Sequence, residues 1–527
     1  MRALGLVQAG CIIAIALSLC NLSRAQNSRP AASTQAKPRI IVGKDTTRLT
    51  GPLREDGTVD FIAAIDREYS KGVTKDNNAA VVFIQVLDLS KVDKKWLGAV
   101  LKRLDMEASL PGPFLKTVYE RNDNPPEGQK EYNSATSELW YAKDHPDLAN
   151  WLRANLEPLE KLVAGTARTK YYMPYIWTQD ADGFRAEAPM ASILQPYLSI
   201  GRMLLIRANL ALAERRYDEA RRDILAVYRL GTLVCQDQTL IARMIGVSLG
   251  TIADLEVQHV CSELDLKTRK ALIEDIRQLP SSAPVASVID GPERYLNIQT
   301  LCRLAEDPDT LKPYIINMKL ALGPLATTTQ LGENPFIEEF RNLEFVSAVS
   351  RDVDWNKVLR ELNQEFDRIV DAAKTKEPEL KRNKFAGLNG DWDQVNKWVR
   401  DFPKLAASRE VKTRWAMDWI HSGMGSVHAF IRADVMCDRG AASRGMTVIC
   451  LALSNYKAEK GKYPQKLADL SPAYLKALPL DPFTGKDFIY KPVQTGYIIY
   501  SVGENGIDSG GQGRQPGCDN IAVRADE

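Results

Sequence analysis

The sequence predicts a mainly α-helical protein, in which a large helical domain with irregular or repeat-like packing precedes a small α+β domain of one helix and a short antiparallel sheet. Apolar residues recur with helical periodicity over roughly residues 57–435. The pattern then changes to two short β-like runs, "DFIYK" and "GYIIYSV", which flank "PVQT" as a hairpin would. With 527 residues, of which 45% are apolar and 26% charged, the chain is long enough for two or more domains and has a globular composition.

The N-terminus has the pattern of an export signal. Arg2 is followed by the uncharged run "ALGLVQAGCIIAIALSLC", and Ser23 and Ala25 supply the small residues before a cleavage point. We therefore expect a signal peptide over residues 1–25 and export to the periplasm, the cell envelope or the medium. Two alternatives stay open. The run is nearly long enough to remain as a membrane anchor, and "LSLC" is similar to a lipoprotein box ending at Cys20.

Residues 26–56 are rich in Ser, Thr, Pro, Lys and Arg and lack apolar periodicity, so they are predicted to be a linker. The helical domain, 57–435, follows. Its amphipathic stripes are separated by Pro and Gly breaks such as "LPGPF", "NDNPPEGQ" and "GLNGD". One such stripe consists of Trp355, Leu359, Leu362, Phe366, Ile369 and Ala373.

One passage of this domain, "ANLALAERRYDEARRDILAVYRLG", is similar to a tetratricopeptide unit. Tyr217 and Ala220 stand where that repeat has its turn between two helices. The signature does not recur at the repeat's period of about 34 residues. The prediction is therefore one helix pair of this kind within an irregular helical array.

Charge and cysteine content limit which partners, metals and disulfides the sequence predicts. Lys and Arg total 69 against 67 Asp and Glu, with no long run of one sign, so nothing predicts binding to nucleic acid or to an anionic lipid surface. A membrane contact is expected only if the N-terminal run stays uncleaved. Of the eight cysteines, the six beyond the predicted signal are far apart and form no CxxC, which disfavours zinc. Buried free thiols and one or two disulfides both remain open.

The helical domain offers two weak candidates for a site. His421 and His428 are seven residues apart and would share a face of a continuous helix, but no third metal ligand at a recognisable spacing accompanies them. An aromatic passage could line a groove for a sugar or a peptide, although burial in the core explains the same residues and is the favoured interpretation. Its aromatic residues are Tyr171, Tyr172, Tyr175 and Trp177.

The C-terminal domain, 438–527, has a distinct order of elements. A helix with one apolar face ends at "KGKYPQKL", where Gly461 can stop the helix and Pro464 prevents its continuation. A turn, "DPFTGK", leads to the two β-like runs, and the second run leads to the glycine loop "YSVGENGIDSGG", residues 500–511.

These segments resemble a known family. "ALSNYKAEKGKYPQKLADL", "YLKALPLDPFTGKDFIYKP", "YIIYSVGENGIDSGG" and "CDNIAV" are similar, in this order, to the soluble C-terminal domain of the major pseudopilin, protein G, of bacterial type II secretion. The resemblance extends over approximately residues 442–523. The start of a pseudopilin, a Gly before a Phe-Thr-Leu-Ile-Glu-like run, is absent, so we expect a protein that shares the globular head without being a pseudopilin subunit.

The resemblance implies a structural calcium ion in the glycine loop. It assigns as ligands the carbonyl of Val502, the side chain of Asn505, and Asp519 with Asn520. Asn505 and Asn520 stand where the family has aspartates, and Asp508 can restore one of the lost carboxylates. Calcium binds ~6–8 oxygens with flexible geometry, which a glycine-rich loop closing on an acidic segment can supply.

The function expected from the sequence is that of an exported, non-enzymatic structural or interaction protein with protein partners. One alternative is an exported hydrolase whose site is assembled in the helical domain from scattered Asp and Glu, His421 and the aromatic passage. The other is a secretion-associated or pilus-associated component that is retained at the membrane.

Overall fold

In a computed structural model the chain is described over residues 40–90, 92–118, 125–176, 188–306, 352–388, 408–423, 426–494, 496–515 and 518–525. These residues are mostly helical, and a small three-stranded antiparallel sheet lies near the C-terminal end, which confirms the predicted fold class at this level. The predicted signal peptide lies outside the described residues. Within the described ranges, no helix combines the length and the apolar character needed to cross a membrane.

The helices are numbered in chain order. They are α1 Phe61–Tyr69, α2 Ala79–Val86, α3 Lys94–Arg103, α4 Pro125–Ala135, α5 Pro146–Ala154, α6 Leu156–Gly165, α7 Ala188–Ala213, α8 Tyr217–Val234, α9 Leu240–Val260, α10 Leu266–Gln278, α11 Val285–Val288, α12 Arg294–Glu306, α13 Trp355–Lys374, α14 Pro378–Ala386, α15 Arg409–Gly423 and α16 Ser426–Lys460. A π-helical turn, Ile289–Glu293, joins α11 to α12, and a 3₁₀ helix, Leu467–Leu470, follows α16.

Short polar side chains start many of these helices. In each case the side-chain oxygen accepts a hydrogen bond from a backbone N–H of the first turn, which would otherwise have no partner within the helix. Residues that cap a helix in this way are Asp60, Asn78, Asp93, Thr239, Asp265 and Asp354. The helix starts are therefore encoded locally.

The first hydrophobic core contains most of the buried apolar residues of α7, α8 and α9, three consecutive helices. Arg207 of α7 donates two hydrogen bonds to Asp223 of α8, at 2.6 and 2.7 Å, and both side chains are buried. The α7–α8 pair occupies the passage similar to a tetratricopeptide unit. Ala220, at the start of α8, is fully buried there.

The second core lies between α11, α12, α13 and the N-terminal half of α16. The stripe predicted on α13 faces this core, and its residues from Trp355 to Ile369 are buried.

The prediction that residues 26–56 form a linker is wrong for residues 40–56. Ile40, Val42 and Leu49 pack against the second core, and Asn363 of α13 donates hydrogen bonds to the backbone carbonyls of Asp45 and Thr46. This segment is held against the second core with few apolar residues, because its backbone groups make the remaining contacts.

Helix α16 passes through the predicted domain boundary at 435–438 without a break. Phe430, in its first turns, is buried in the second core, whereas Met446 and Leu453, further along, are buried in the first core. Residues of the C-terminal sheet, among them Tyr497 and Ile499, belong to that same first core. The C-terminal module and the helical body therefore share one hydrophobic core.

The C-terminal module contains strands β1 Ile489–Pro492, β2 Tyr497–Ser501, β3 Gly513–Gln515, β4 Cys518–Asp519 and β5 Ile521–Ala525. The predicted hairpin is β1–β2, with Ile489 opposite Tyr500, and its turn is closed by the Val493 N–H, which donates to the Gly496 carbonyl at 3.0 Å. Strand β5 pairs antiparallel with the other edge of β2, which gives the order β1–β2–β5. Strands β3 and β4 form a separate two-stranded pair.

An ion pair between a half-buried arginine and a fully buried carboxylate joins α16 to α9. Arg444 of α16 donates to the Asp254 carboxylate at 2.7 Å, and the Tyr228 hydroxyl of α8 donates to the same oxygen at 2.8 Å. Asp254 is fully buried, and the Arg444 guanidinium lies 4.2 Å from the centre of the Tyr228 ring. A buried carboxylate requires such partners because it has lost its hydration.

We expect Arg444→Met to lower the free energy of unfolding by about 3–5 kcal/mol, because the substitution removes the cation from a fully buried carboxylate, which must then remain charged without it or take up a proton. Chemical denaturation near neutral pH measures this loss. Lys270→Met is the control, since Lys270 of α10 pairs with Glu459 of α16 at 3.0 Å in an exposed position. That pair should contribute at most about 1 kcal/mol. Equal losses in the two variants would contradict the assigned role of Arg444.

A second buried carboxyl, Glu256, lies on α9. Its side chain is 4% exposed, and burial raises its pKa to about 8, against which a hydrogen bond with Asn209 of α7 acts only weakly. The folded protein therefore binds the proton of Glu256 more tightly than the unfolded chain does. The stability that this proton contributes is complete below the unfolded pKa and is lost as the pH rises toward 8.

We expect Glu256→Gln to be close to wild type in stability near pH 4.5 and progressively more stable than wild type between pH 5 and 8. The difference should grow by roughly 1.4 kcal/mol per pH unit, because the amide has no proton to lose. Unfolding free energies measured across this range test the expectation. Glu263→Gln, at an exposed position, is the control, and its difference in unfolding free energy from wild type should not grow over this pH range. A pH-independent difference for Glu256→Gln would be inconsistent with a buried neutral carboxyl.

Candidate functional site

Tyr500 and Ser501, the first two residues of the predicted glycine loop, belong to β2. The loop itself is Val502–Gly511, and the segment that joins β4 to β5 covers it. Four of its residues, Gly503, Gly506, Gly510 and Gly511, have positive φ angles between 69° and 76°. Gly503 has a second requirement, because a Cβ atom there would overlap the carbonyl oxygen of Asp519. The loop and the β4–β5 segment are thus in direct backbone contact.

Asn520, between β4 and β5, is the side chain that makes the most hydrogen bonds to the backbone of the loop. Its Nδ2 donates hydrogen bonds to the carbonyls of Val502 and Ile507, at 2.9 and 2.8 Å. Its Oδ1 accepts from the N–H groups of Ser509 and Gly511, at 3.0 and 3.1 Å. The side chain is 6% exposed, and all four hydrogen bonds that an amide can make are made.

The other predicted ligands have partners of their own. Asn505 Oδ1 accepts from the Ile507 N–H at 2.8 Å. Asp508 Oδ1 accepts from the Tyr500 hydroxyl and the Gly510 N–H, both at 2.8 Å. These hydrogen bonds lower the pKa of Asp508, the Gly510 N–H contributing most, so its carboxylate is held as the anion. It is bound to the loop backbone and to β2.

Asp519 faces the helical body. Its Oδ2 accepts from the Asn505 N–H at 2.9 Å and lies 3.6 Å from the Arg439 guanidinium of α16. A second arginine, Arg382 of α14, donates to the Phe483 carbonyl at 2.9 Å and contacts Gly506. Two cations from the helical body therefore reach the loop region. The sequence carries no local signal for them, because both lie at least 60 residues away along the chain.

Asp481 is a further residue whose role the sequence analysis did not assign. It precedes Pro482 in the predicted turn, is 2% exposed, and accepts hydrogen bonds from the Phe483 N–H and from the Ser501 hydroxyl. Ser501 Oγ in turn accepts from the Gly503 N–H at 3.1 Å. Burial raises the pKa of Asp481. The Asp-Pro turn is thereby joined to the first residues of the glycine loop.

The structure brings the five predicted ligands, Val502, Asn505, Asp508, Asp519 and Asn520, into one loop region, where one oxygen of each accepts a hydrogen bond from an N–H or O–H donor. Asp519 Oδ1, in contrast, is buried without a hydrogen-bond partner in the part of the chain that the structure describes. Among the described residues, no group of three or more His, Cys, Asp or Glu side chains could hold a metal ion. Calcium binding by this loop stays a prediction.

A surface cleft of about 310 Å³ lies between the N-termini of α8 and α10. Its carboxylates have structural partners. Asp218 lies 3.8 Å from Lys267, Glu219 pairs with Arg216, and Asp265 caps α10. The Thr268 hydrogen bond lowers the pKa of Asp265, whereas a general acid needs a raised pKa. This arrangement gives no support to hydrolysis in the cleft.

The two weaker candidate sites of the helical domain are the aromatic passage and the histidine pair. Tyr171, Tyr172 and Tyr175 are buried, as the packing interpretation predicts, and the Tyr171 hydroxyl lies 3.3 Å from that of Tyr197 in α7. Trp177, and the side chains of His421 and His428, lie outside the described residues.

No protein-family model, curated protein or solved structure matches this chain. The resemblance to the pseudopilin domain therefore rests on its sequence motifs and stays a prediction.

We expect Gly503→Ala to lower the free energy of unfolding by roughly 2–5 kcal/mol. This is the sum of the cost of a left-handed backbone conformation for alanine and the cost of overlap between its Cβ and the Asp519 carbonyl. Gly510→Ala is the matched control, because Gly510 has a similar φ of 69° but open space around it. It should cost about 1–2 kcal/mol. Chemical denaturation of both variants compares the two. A loss at Gly503 no larger than that at Gly510 would show that the backbone contact with Asp519 is unimportant.

Proposed function

We propose that this protein is an exported, non-enzymatic interaction protein that presents the glycine loop to a protein partner. The observation that carries the proposal is that Ile507 has an exposed side chain on a hydrogen-bonded backbone. Its side chain is 59% exposed, while its N–H donates to Asn505 and its carbonyl accepts from Asn520. An apolar side chain on a backbone that is already ordered loses little conformational freedom on binding, which favours a role as an anchor residue.

The surroundings of Ile507 support a protein as the partner. Glu504 and Asp508, on either side of it in the loop, are exposed. An apolar centre with a polar rim is the usual organisation of a protein interface. Because the rim residues are acidic, the complementary surface is an apolar pocket bordered by basic side chains.

The embedding of the C-terminal module supports the same role. Since the module shares the first core with α7, α8 and α9, and since Arg382 and Arg439 reach the loop region from the helical body, the loop has a defined position on the whole molecule. Rigid presentation lowers the entropic cost of association. Export is proposed from the N-terminal pattern alone.

We expect a photo-crosslinking amino acid at position 507 of the full-length protein, expressed in its native cells, to capture one defined protein. The same group at Val493, a 45% exposed residue in the β1–β2 turn of the same module, should not capture it. Gel electrophoresis and mass spectrometry of the crosslinked products measure this. Glu504→Lys should reduce the yield at position 507, because charge reversal opposes the basic rim of the partner.

Equal products at positions 507 and 493 would contradict presentation of the loop. The same preparation also tests export, since the mature chain should begin at Gln26, and an intact Met1 would be inconsistent with cleavage after Ala25.

A further inference from the structure

Backbone carbonyls of the glycine loop converge on one point, as they would around a bound ion. The side-chain amide of Asn520 occupies that point. Two backbone carbonyls, those of Val502 and Ile507, converge on Asn520 Nδ2 at 2.9 and 2.8 Å. The convergence of carbonyl oxygens needs a centre of positive charge between them, because otherwise their dipoles repel. The two N–H bonds of the amide supply partial positive charge in the two required directions.

The remaining atoms do not fit a calcium ion at this position. Calcium needs ~6–8 oxygens that point at one centre. Asn520 Oδ1 points to the N–H groups of Ser509 and Gly511, away from the two carbonyls that Nδ2 binds. Asn505 Oδ1 and Asp508 Oδ1 accept hydrogen bonds from the N–H groups of Ile507 and Gly510.

Asp519 also belongs to the predicted ligand set, and its Oδ1 is buried without a hydrogen-bond partner among the described residues. Its Oδ2 accepts from the Asn505 N–H and lies 3.6 Å from Arg439 of α16, so a cation from the helical body faces it. An arginine of the same chain thus stands where a metal would otherwise offset the charge. It differs from a metal in being covalently part of the protein and therefore always present.

We propose that the side-chain amide of Asn520 takes the place that the family resemblance gives to a calcium ion, so that the glycine loop of this chain is ordered without metal. Asparagine at this position is then the determinant of metal independence. Aspartate has a similar shape, but it would place a carboxylate oxygen against the carbonyls of Val502 and Ile507, and a bound cation or an added proton would be needed to relieve the repulsion.

The test is amide hydrogen exchange of the full-length protein, read on peptides that cover residues 500–512, with calcium chloride at ~10 mM or with chelator. This calcium concentration exceeds the ~10⁻⁴–10⁻³ M range of weak extracellular sites. For the wild-type chain we expect the same exchange rates in both conditions. If calcium slows exchange of the loop by about tenfold or more, as linkage requires for a site whose dissociation constant the calcium concentration exceeds about tenfold, the proposal is overturned.

Two variants sharpen the comparison. In chelator, Asn520→Asp should exchange roughly ten- to a hundredfold faster than wild type in the loop, because two carbonyls lose their donors. Added calcium should slow it again. Asn505→Asp is the matched control, since Asn505 is exposed and an aspartate can still accept from the Ile507 N–H. It should show no response to calcium.

Exchange of Asn520→Asp at the wild-type rate in chelator would refute the central role of the amide. A calcium response in Asn505→Asp would indicate that the loop is one carboxylate short of a metal site, which also counts against the proposal. The wild-type measurement stands by itself if the Asn520 variant does not fold.

Discussion

The contact between α9 and α16 is the constraint on which the rest of the structure depends. Asp254 of α9 is fully buried, so its charge must be balanced inside the protein, and Arg444 of α16 with the Tyr228 hydroxyl provides that balance. At 35 residues, α16 is about 50 Å long and can belong to both cores. Once Arg444 sets its position along α9, Phe430 lies in the second core and Leu453 in the first. The sheet then packs on the same helix.

This arrangement explains why the C-terminal module is part of the body of the protein. A module attached by a flexible linker would need a closed core of its own. Here Tyr497 and Ile499 complete a core that α7, α8 and α9 have already formed. The exposed Ile507 and its acidic neighbours are consequently held at one place on the molecule, as the proposed contact with a partner requires.

The parts of the fold that the sequence predicts correctly are those encoded by near neighbours. The α13 stripe repeats every three to four residues, and it faces a core as expected. The β1–β2 hairpin follows from two runs of β-favouring residues around a short turn. The linker prediction is wrong over residues 40–56 because its stabilising contacts are backbone carbonyls bound by Asn363, more than 300 residues away, and composition carries no information about such contacts. The extent of α16 across the predicted boundary is missed for a related reason, since periodicity does not show which core a helix joins.

At the glycine loop, the sequence by itself determined the chemistry that is available: glycines where φ is positive, and amides at two positions where the resembled family has carboxylates. Only the tertiary structure decided how those groups are used. The direction of the Asn520 amide depends on the carbonyls of Val502 and Ile507, and the charge of Asp519 meets Arg439 of a helix that begins nearly a hundred residues earlier. The physical reason is the range of each interaction. Backbone conformation is set by a residue and its neighbours, whereas hydrogen-bond direction and charge pairing are set by whatever packing brings within 3 to 4 Å.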